Sequence, residues 1–183
     1  MKKTLILNGS PHKNGSTSTL IKLFTEHLQG EYKIINAYDA DISPCNDCRY
    51  CQKHGKCCKK DAMEEVYSYT AECDNILIAS PVYFSELTPP LLAVVSRFQA
   101  FYCARRFLGS EPAGKTKSGG ILLSGGGDGG CSLAEKSAKI LLKTMGAAGD
   151  FPLIYCGNTD NADAGKNGGA VKGVKMLAER FSP

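Results

Sequence analysis

The 183-residue chain holds no hydrophobic run approaching the roughly 20 residues of a membrane-spanning helix. Its first apolar run, Thr4-Leu5-Ile6-Leu7 behind Met1-Lys2-Lys3, stops at Asn8 and is too short for a signal peptide. A cytoplasmic protein with no membrane partner is therefore expected. Charge of one sign is scarce as well: the formal net charge is +4. That suits a small anionic ligand but is too weak and too scattered for a nucleic-acid surface. Histidine is rare, and His12, His27 and His54 assemble no acid–base constellation, so no catalytic residue is named. Familiar phosphate signatures are missing too. Gly15 is followed by Ser16 where a Walker loop needs Gly-Lys-Ser/Thr, and no G-x-G-x-x-G occurs. The phosphatase loop C-x5-R-S/T is absent, because Cys131 has Ser137 at the arginine position. With no internal repeat and no linker, residues 1–183 read as a single domain.

Cysteine, by contrast, is plentiful at nine residues, and Cys45, Cys48, Cys51, Cys57 and Cys58 crowd into one segment. The odd count, in a chain long enough for a proper core, argues against a disulfide framework. Reduced thiols holding a metal fit better. Cys45, Cys48, Cys51 and Cys57 are spaced C-x2-C-x2-C-x5-C, so four thiolates fall within thirteen residues. Such ligands select zinc, Cu(I) or an iron–sulfur cluster. Structural zinc uses two C-x2-C pairs set well apart, whereas two steps sharing a middle cysteine resemble ferredoxin spacing. The expectation is an iron–sulfur cluster of the 4Fe-4S type, prone to loss in air, with Cys58 able to replace Cys57. Arg49, Lys53, His54, Lys56, Lys59 and Lys60 surround the set and favour thiolates. Cys73, Cys103, Cys131 and Cys156 read as isolated, inert thiols.

Apolar runs alternate with helical patterns along the chain. Strands are expected at 4–8, 32–37, 75–79, 119–123 and 151–156. Helices are expected at 16–29, 61–72, 88–105, 132–146 and 169–181. Asp61 with Glu64, and Ser132 with Glu135, have capping-pair spacing. Thr88-Pro89 reads as an N-cap followed by proline at the first helical position, and Pro152 inside strand 5 places that strand at an edge. Alternating strands and helices imply a parallel sheet covered on both faces. The expected fold is a flavodoxin-like α/β three-layer sandwich with strand order 2-1-3-4-5 and a cysteine-rich loop at about 38–60. Ligands of such a fold sit at the carboxyl ends of strands 1 and 3.

Three loops at those ends have unusual composition. The first offers hydroxyls at Ser10, Ser16, Thr17 and Ser18, and charge at Lys13, at the start of a helix, which suits a monophosphate. The second, Pro81-Val82-Tyr83-Phe84-Ser85, places two adjacent aromatics where they can wall a flat ring. The third, Gly125, Gly126 and Gly127 with Asp128, lets backbone approach a ligand closely.

Taken together, these loops and the cysteine motif resemble the NADPH-dependent FMN reductase and iron–sulfur flavoprotein family, over almost the whole chain. Asn8-Gly9-Ser10-Pro11-His12-Lys13-Asn14-Gly15-Ser16-Thr17 is similar to that family's FMN phosphate loop, although His12 stands where arginine is common and Ser16 where asparagine is. Residues 80–84 resemble its isoalloxazine loop, and residues 124–130 its third flavin loop. The resemblance implies an FMN-dependent oxidoreductase. It would take electrons from NAD(P)H or a ferredoxin and pass them to a small-molecule or protein redox partner, as a homodimer or homotetramer. Rival readings are a cluster-free NAD(P)H:FMN or quinone reductase, a non-enzymatic electron carrier, and a zinc-stabilised hydrolase.

Overall fold

In the computed structural model, which describes residues 1–127 and 129–183, the apolar runs pair side by side. The strands are β1 (Lys3–Asn8), β2 (Glu31–Asn36), β3 (Asn75–Pro81), β4 (Ser118–Ser124) and β5 (Leu153–Cys156). All are parallel, in the order β2-β1-β3-β4-β5. Side chains alternate between the two faces, as the period of a strand requires. Leu5, Leu7, Ile76, Ile78, Ile121 and Leu123 meet one helical layer, and Ile6, Leu77, Ala79 and Leu122 meet the other. The first layer contains α3 (Met63–Glu72), α4 (Pro89–Ser96), α5 (Gln99–Leu108) and α6 (Ser132–Thr144). The second contains α1 (Ser16–His27) and α7 (Gly168–Phe181). Each fully buried Leu, Ile or Phe contributes roughly 1.5–3 kcal/mol, so the β1–β3–β4 centre of the sheet is its firmest part. None of the described helices is long and apolar enough to cross a membrane.

The strand order matches the sequence expectation, and several local details differ. Among the described residues, five expected helices become seven. A short α2 (Tyr50–His54) forms inside the cysteine loop, and the expected helix at 88–105 divides into α4 and α5. The division falls at Arg97 and Phe98, whose N–H groups donate to Val94 O and Val95 O at 3.2 and 3.0 Å, a tightened turn. Neither capping pair forms. Asp61 Oδ1 accepts from the Met63 N–H at 3.1 Å, while Glu64 pairs with Lys60. Cys131, not Ser132, is the N-cap of α6, and Glu135 pairs with Lys139. Thr88 is the N-cap of α4 with proline following, but its hydroxyl donates to Gly9 O at 2.8 Å and leaves the helix uncapped. Pro152 lies just before β5, its carbonyl accepting from the Ile121 N–H, and β5 is the edge strand.

Candidate functional site

The register sets Asn8 beside Ala79, Pro81 beside Ser124 and Ser124 beside Cys156, so the loops leaving β1, β3 and β4 start level. Side chains then stitch them together. Besides receiving the Thr88 hydroxyl, Gly9 donates its N–H to Ala79 O at 2.8 Å. A Cβ on Gly9 would stand 2.7 Å from Thr88 Oγ1 and 2.9 Å from Ser80 Oγ, so only glycine lets the first loop lie against β3. Thr17 Oγ1 and Ser124 Oγ are 2.7 Å apart and buried, which joins α1 to the end of β4. The Val82 N–H donates to Ser124 O, and the Ala134 N–H to Ser85 O. All three expected loops therefore leave the sheet side by side at one end.

Within the first loop, Gly15 is the N-cap of α1, and the N–H groups of Ser16, Thr17 and Ser18 have no acceptor inside the helix. They lie at a positive helix end, where an anion is favoured. The hydroxyls are less available than the sequence suggested. The Ser10 and Ser18 hydroxyls donate to His12 O at 3.2 and 2.6 Å, and that of Thr17 is held by Ser124. The Thr17 hydroxyl is therefore already engaged. His12 and Lys13 also line a cavity of about 380 Å³ on the β2 side of the loop, with Lys22, Asn36 and Tyr38.

The second loop is a tight turn in which Tyr83 and Glu86 exchange both backbone hydrogen bonds, at 2.9 and 3.0 Å. Phe84 and Ser85 at its tip have φ of 52° and 68°, an uncommon conformation for a bulky residue. Phe84 is held fully in solvent at 103% relative exposure. Burial and the neighbouring Tyr83 push the Tyr38 phenol up, so the tyrosines of the β2 and β3 loops adjoin. In the third loop, the backbone of residues 125–127 is paired with residues 158–160. A Cβ on Gly126 would lie 2.5 Å from the Asp160 carboxylate, a neighbour the sequence did not reveal. The Asp128 expectation lies outside the described residues.

The cysteine loop packs away from these loops, against α4 and α5. The Cys45 N–H donates to Ser96 Oγ at 3.0 Å. Cys45, Cys48, Cys51, Cys57 and Cys58 line one narrow cavity of about 20 Å³ with Arg97 and Cys103. Cys103 is thus not isolated, which corrects the sequence reading: α5 brings it into hydrogen-bonding contact with Cys51. Burial, then Cys103, pushes the Cys51 thiol up to about 12. Cys48 is held below the usual thiol range by the Tyr50 N–H and by Cys58, whose sulfur is 3.5 Å away. Cys73, Cys131 and Cys156 are buried, as expected.

Among the described residues, no three His, Cys, Asp or Glu side chains converge closely enough to hold a single metal ion. The thiolates of a cluster bind different irons and stand wider apart than ligands of one ion. To admit a cluster, the exposed Cys48 and Cys58 side chains must separate. The donor set suits it otherwise: soft thiols, and beside them the buried Arg97 guanidinium, whose Nε and Nη2 have no partner.

The fold is that of a flavodoxin-like protein whose β1, β3 and β4 loops meet at the switch point, and comparison with known proteins narrows that class. The profile of NADPH-dependent FMN reductases matches residues 2–149, and the chain belongs to that family. An iron-sulfur flavoprotein of Archaeoglobus fulgidus is 28% identical over 196 residues, covering 98% of this chain and 93% of the relative. One from Methanocaldococcus jannaschii is 28% identical over 127 residues, 64% of this chain. The chain spans 65% of that relative's length, and 51% of another from A. fulgidus. Among solved structures, an FMN-dependent NADH-azoreductase of Bacillus anthracis, in complex with FMN, superposes with a TM-score of 0.65. It is 15% identical, with 100% of both chains covered, which shows the shared fold.

Proposed function

We propose that this protein is an FMN-dependent oxidoreductase that takes electrons from NAD(P)H or a ferredoxin-like donor and passes them to a small-molecule or protein acceptor. The observation that carries this reading is the stitching of the three loops at the ends of β1, β3 and β4 in a chain of the FMN reductase family. The N–H groups of residues 16–18 receive the FMN phosphate, with Lys13 adding positive charge. The 81–85 and 125–127 loops hold the ring, and Tyr83 excludes water from one edge. FMN, when bound, supplies the two-electron chemistry; the chain supplies binding, orientation and electrostatics. Cys45, Cys48, Cys51 and Cys57 hold an iron–sulfur cluster, a one-electron centre. The exposed Phe84 supports assembly into a homodimer or homotetramer through this rim.

The test is anaerobic purification, followed by a visible spectrum, iron and acid-labile sulfide counts, and NAD(P)H oxidation with a quinone or free flavin. One FMN per chain with steady turnover is expected. A bound flavin with no turnover, unless a separate reductase is added, would identify an electron carrier instead. Failure to bind FMN would remove the reading.

A further inference from the structure

Arg97 stands at the junction of α4 and α5, with its side chain 0% exposed. Its partners account for only part of it. Nη1 donates to Ser43 O at 2.8 Å and to Asp61 Oδ2 at 2.6 Å. Nε and Nη2 are buried and have no hydrogen-bond partner. Buried donors are rarely left unmade, and those of a charged group are the most costly to orphan. A purely architectural cation here would need only the two bonds of Nη1, and a lysine ammonium could supply both. The planar fork, with one edge satisfied and the other unused, calls for a second acceptor.

The surroundings indicate what that acceptor is. Arg97 lines the cavity formed by Cys45, Cys48, Cys51, Cys57, Cys58 and Cys103. The other groups facing the guanidinium are Asp61, Tyr67 and Cys57. Asp61 is already engaged, by the N–H groups of Met63 and Ser43 as well as by Arg97. The Tyr67 hydroxyl donates to the Arg97 carbonyl at 2.6 Å. The cysteines that line this cavity offer sulfur, anionic in a bound cluster, and Cys57 is one whose charge acts on the guanidinium.

We propose that Arg97 is a positioning residue of the cysteine site, which donates through Nε and Nη2 to the anionic sulfur of the cluster held there. The inference rests on the cluster reading given above. Hydrogen bonds to sulfur and a fixed positive charge both stabilise the more negative, reduced form of such a centre, so they raise its reduction potential. Asp61 and Ser43 hold the fork from its other edge, which keeps the donors aimed without spending them.

The experiment compares wild type, Arg97→Lys and Arg97→Met after anaerobic reconstitution with ferrous iron and sulfide. Iron, sulfide and FMN are counted per chain, and the cluster potential is read by EPR during a dithionite titration. Arg97→Lys preserves the charge and the bonds to Ser43 and Asp61. It is expected to keep FMN and iron but to reduce about tenfold less favourably, or about 59 mV lower for a one-electron couple. Arg97→Met is expected to keep FMN and lose most of its iron. A folded, loaded Arg97→Lys protein with the wild-type potential would overturn the proposal, even if Arg97→Met failed to fold. Wild type that takes up neither iron nor sulfide would instead overturn the cluster reading, and the Arg97 role with it, before any variant is compared.

Discussion

Replacing Thr17 by Val separates two roles that the sequence could not. The change keeps the branched shape and removes the hydroxyl. Thr17 is 2% exposed and Ser124 is 3% exposed, and their oxygens are 2.7 Å apart. Losing one partner orphans the other in a buried place, which costs about 1–3 kcal/mol. For a chain of this length each kcal/mol moves Tm by about 2–4 °C, so a fall of about 2–12 °C is expected. FMN affinity should hardly change, because the proposed phosphate contact at this position is the backbone N–H. A double-mutant cycle with Ser124→Ala supplies the control. Removing both hydroxyls should cost less than the two single changes added together, since neither partner is then left unpaired. Differential scanning fluorimetry and an FMN fluorescence titration read the two quantities. If Tm held while FMN binding weakened by about tenfold or more, the scale of a lost bond to a charged group, the hydroxyl would face the phosphate and the stitching argument would fail.

Gly9→Ala should lower Tm and FMN affinity together. Its Cβ would meet Thr88 Oγ1 at 2.7 Å and Leu91 Cδ2 at 2.9 Å, overpacking that costs about 1–3 kcal/mol; an unchanged melting curve would contradict the packing at the switch point. Gly126→Val should lose FMN through crowding of the ring, and pairing it with Asp160→Ala tests the cause: recovery of flavin would assign the loss to Asp160. Burial pushes the Asp61 carboxyl up, but Arg97 and the N–H groups of Met63 and Ser43 outweigh it and hold the group below its ordinary value. The stability it contributes is therefore complete above the unfolded value of about 3.9 and is lost as pH falls through the folded one. Acid unfolding below about pH 4 should accordingly be shallower in Asp61→Asn than in wild type. Cys48→Ser should abolish iron uptake while one FMN stays bound, because the two sites share no ligand; loss of both together would show that they are not independent.

Much of this was legible in the chain because the informative signals are local. Strand 3 is a continuous apolar run, the glycines and serines mark the loops that leave the sheet, and the parallel alternation permits few topologies. The cysteine spacing is likewise written in thirteen residues. What escaped the sequence was the long-range pairing of individual side chains. Nothing in Ser124 indicates that it will hold Thr17, 107 positions away. The helix break at Arg97 carries no glycine or proline to announce it. It arises where a buried guanidinium reaches back 54 residues to Ser43 O. Cys103 read as an inert thiol because its neighbours in sequence are unremarkable, and only the packing of α2 on α5 brings it beside Cys51.

The division of one expected helix into α4 and α5 also decides how the two candidate sites stand to each other. Thr88, just before α4, is bonded to the loop after β1 through Gly9 O, whereas Ser96, its last residue, accepts the N–H of Cys45. Eight helical residues at about 1.5 Å each place these anchors about 12 Å apart. Helix α4 is therefore a rigid spacer with the loop after β1 at one end and the thiols at the other, and its inner face, Leu91, Val94 and Val95, is locked into the core. At the tightened turn after Ser96, the Arg97 guanidinium meets Asp61 and the cysteine cavity. One element of the core thereby links both candidate sites.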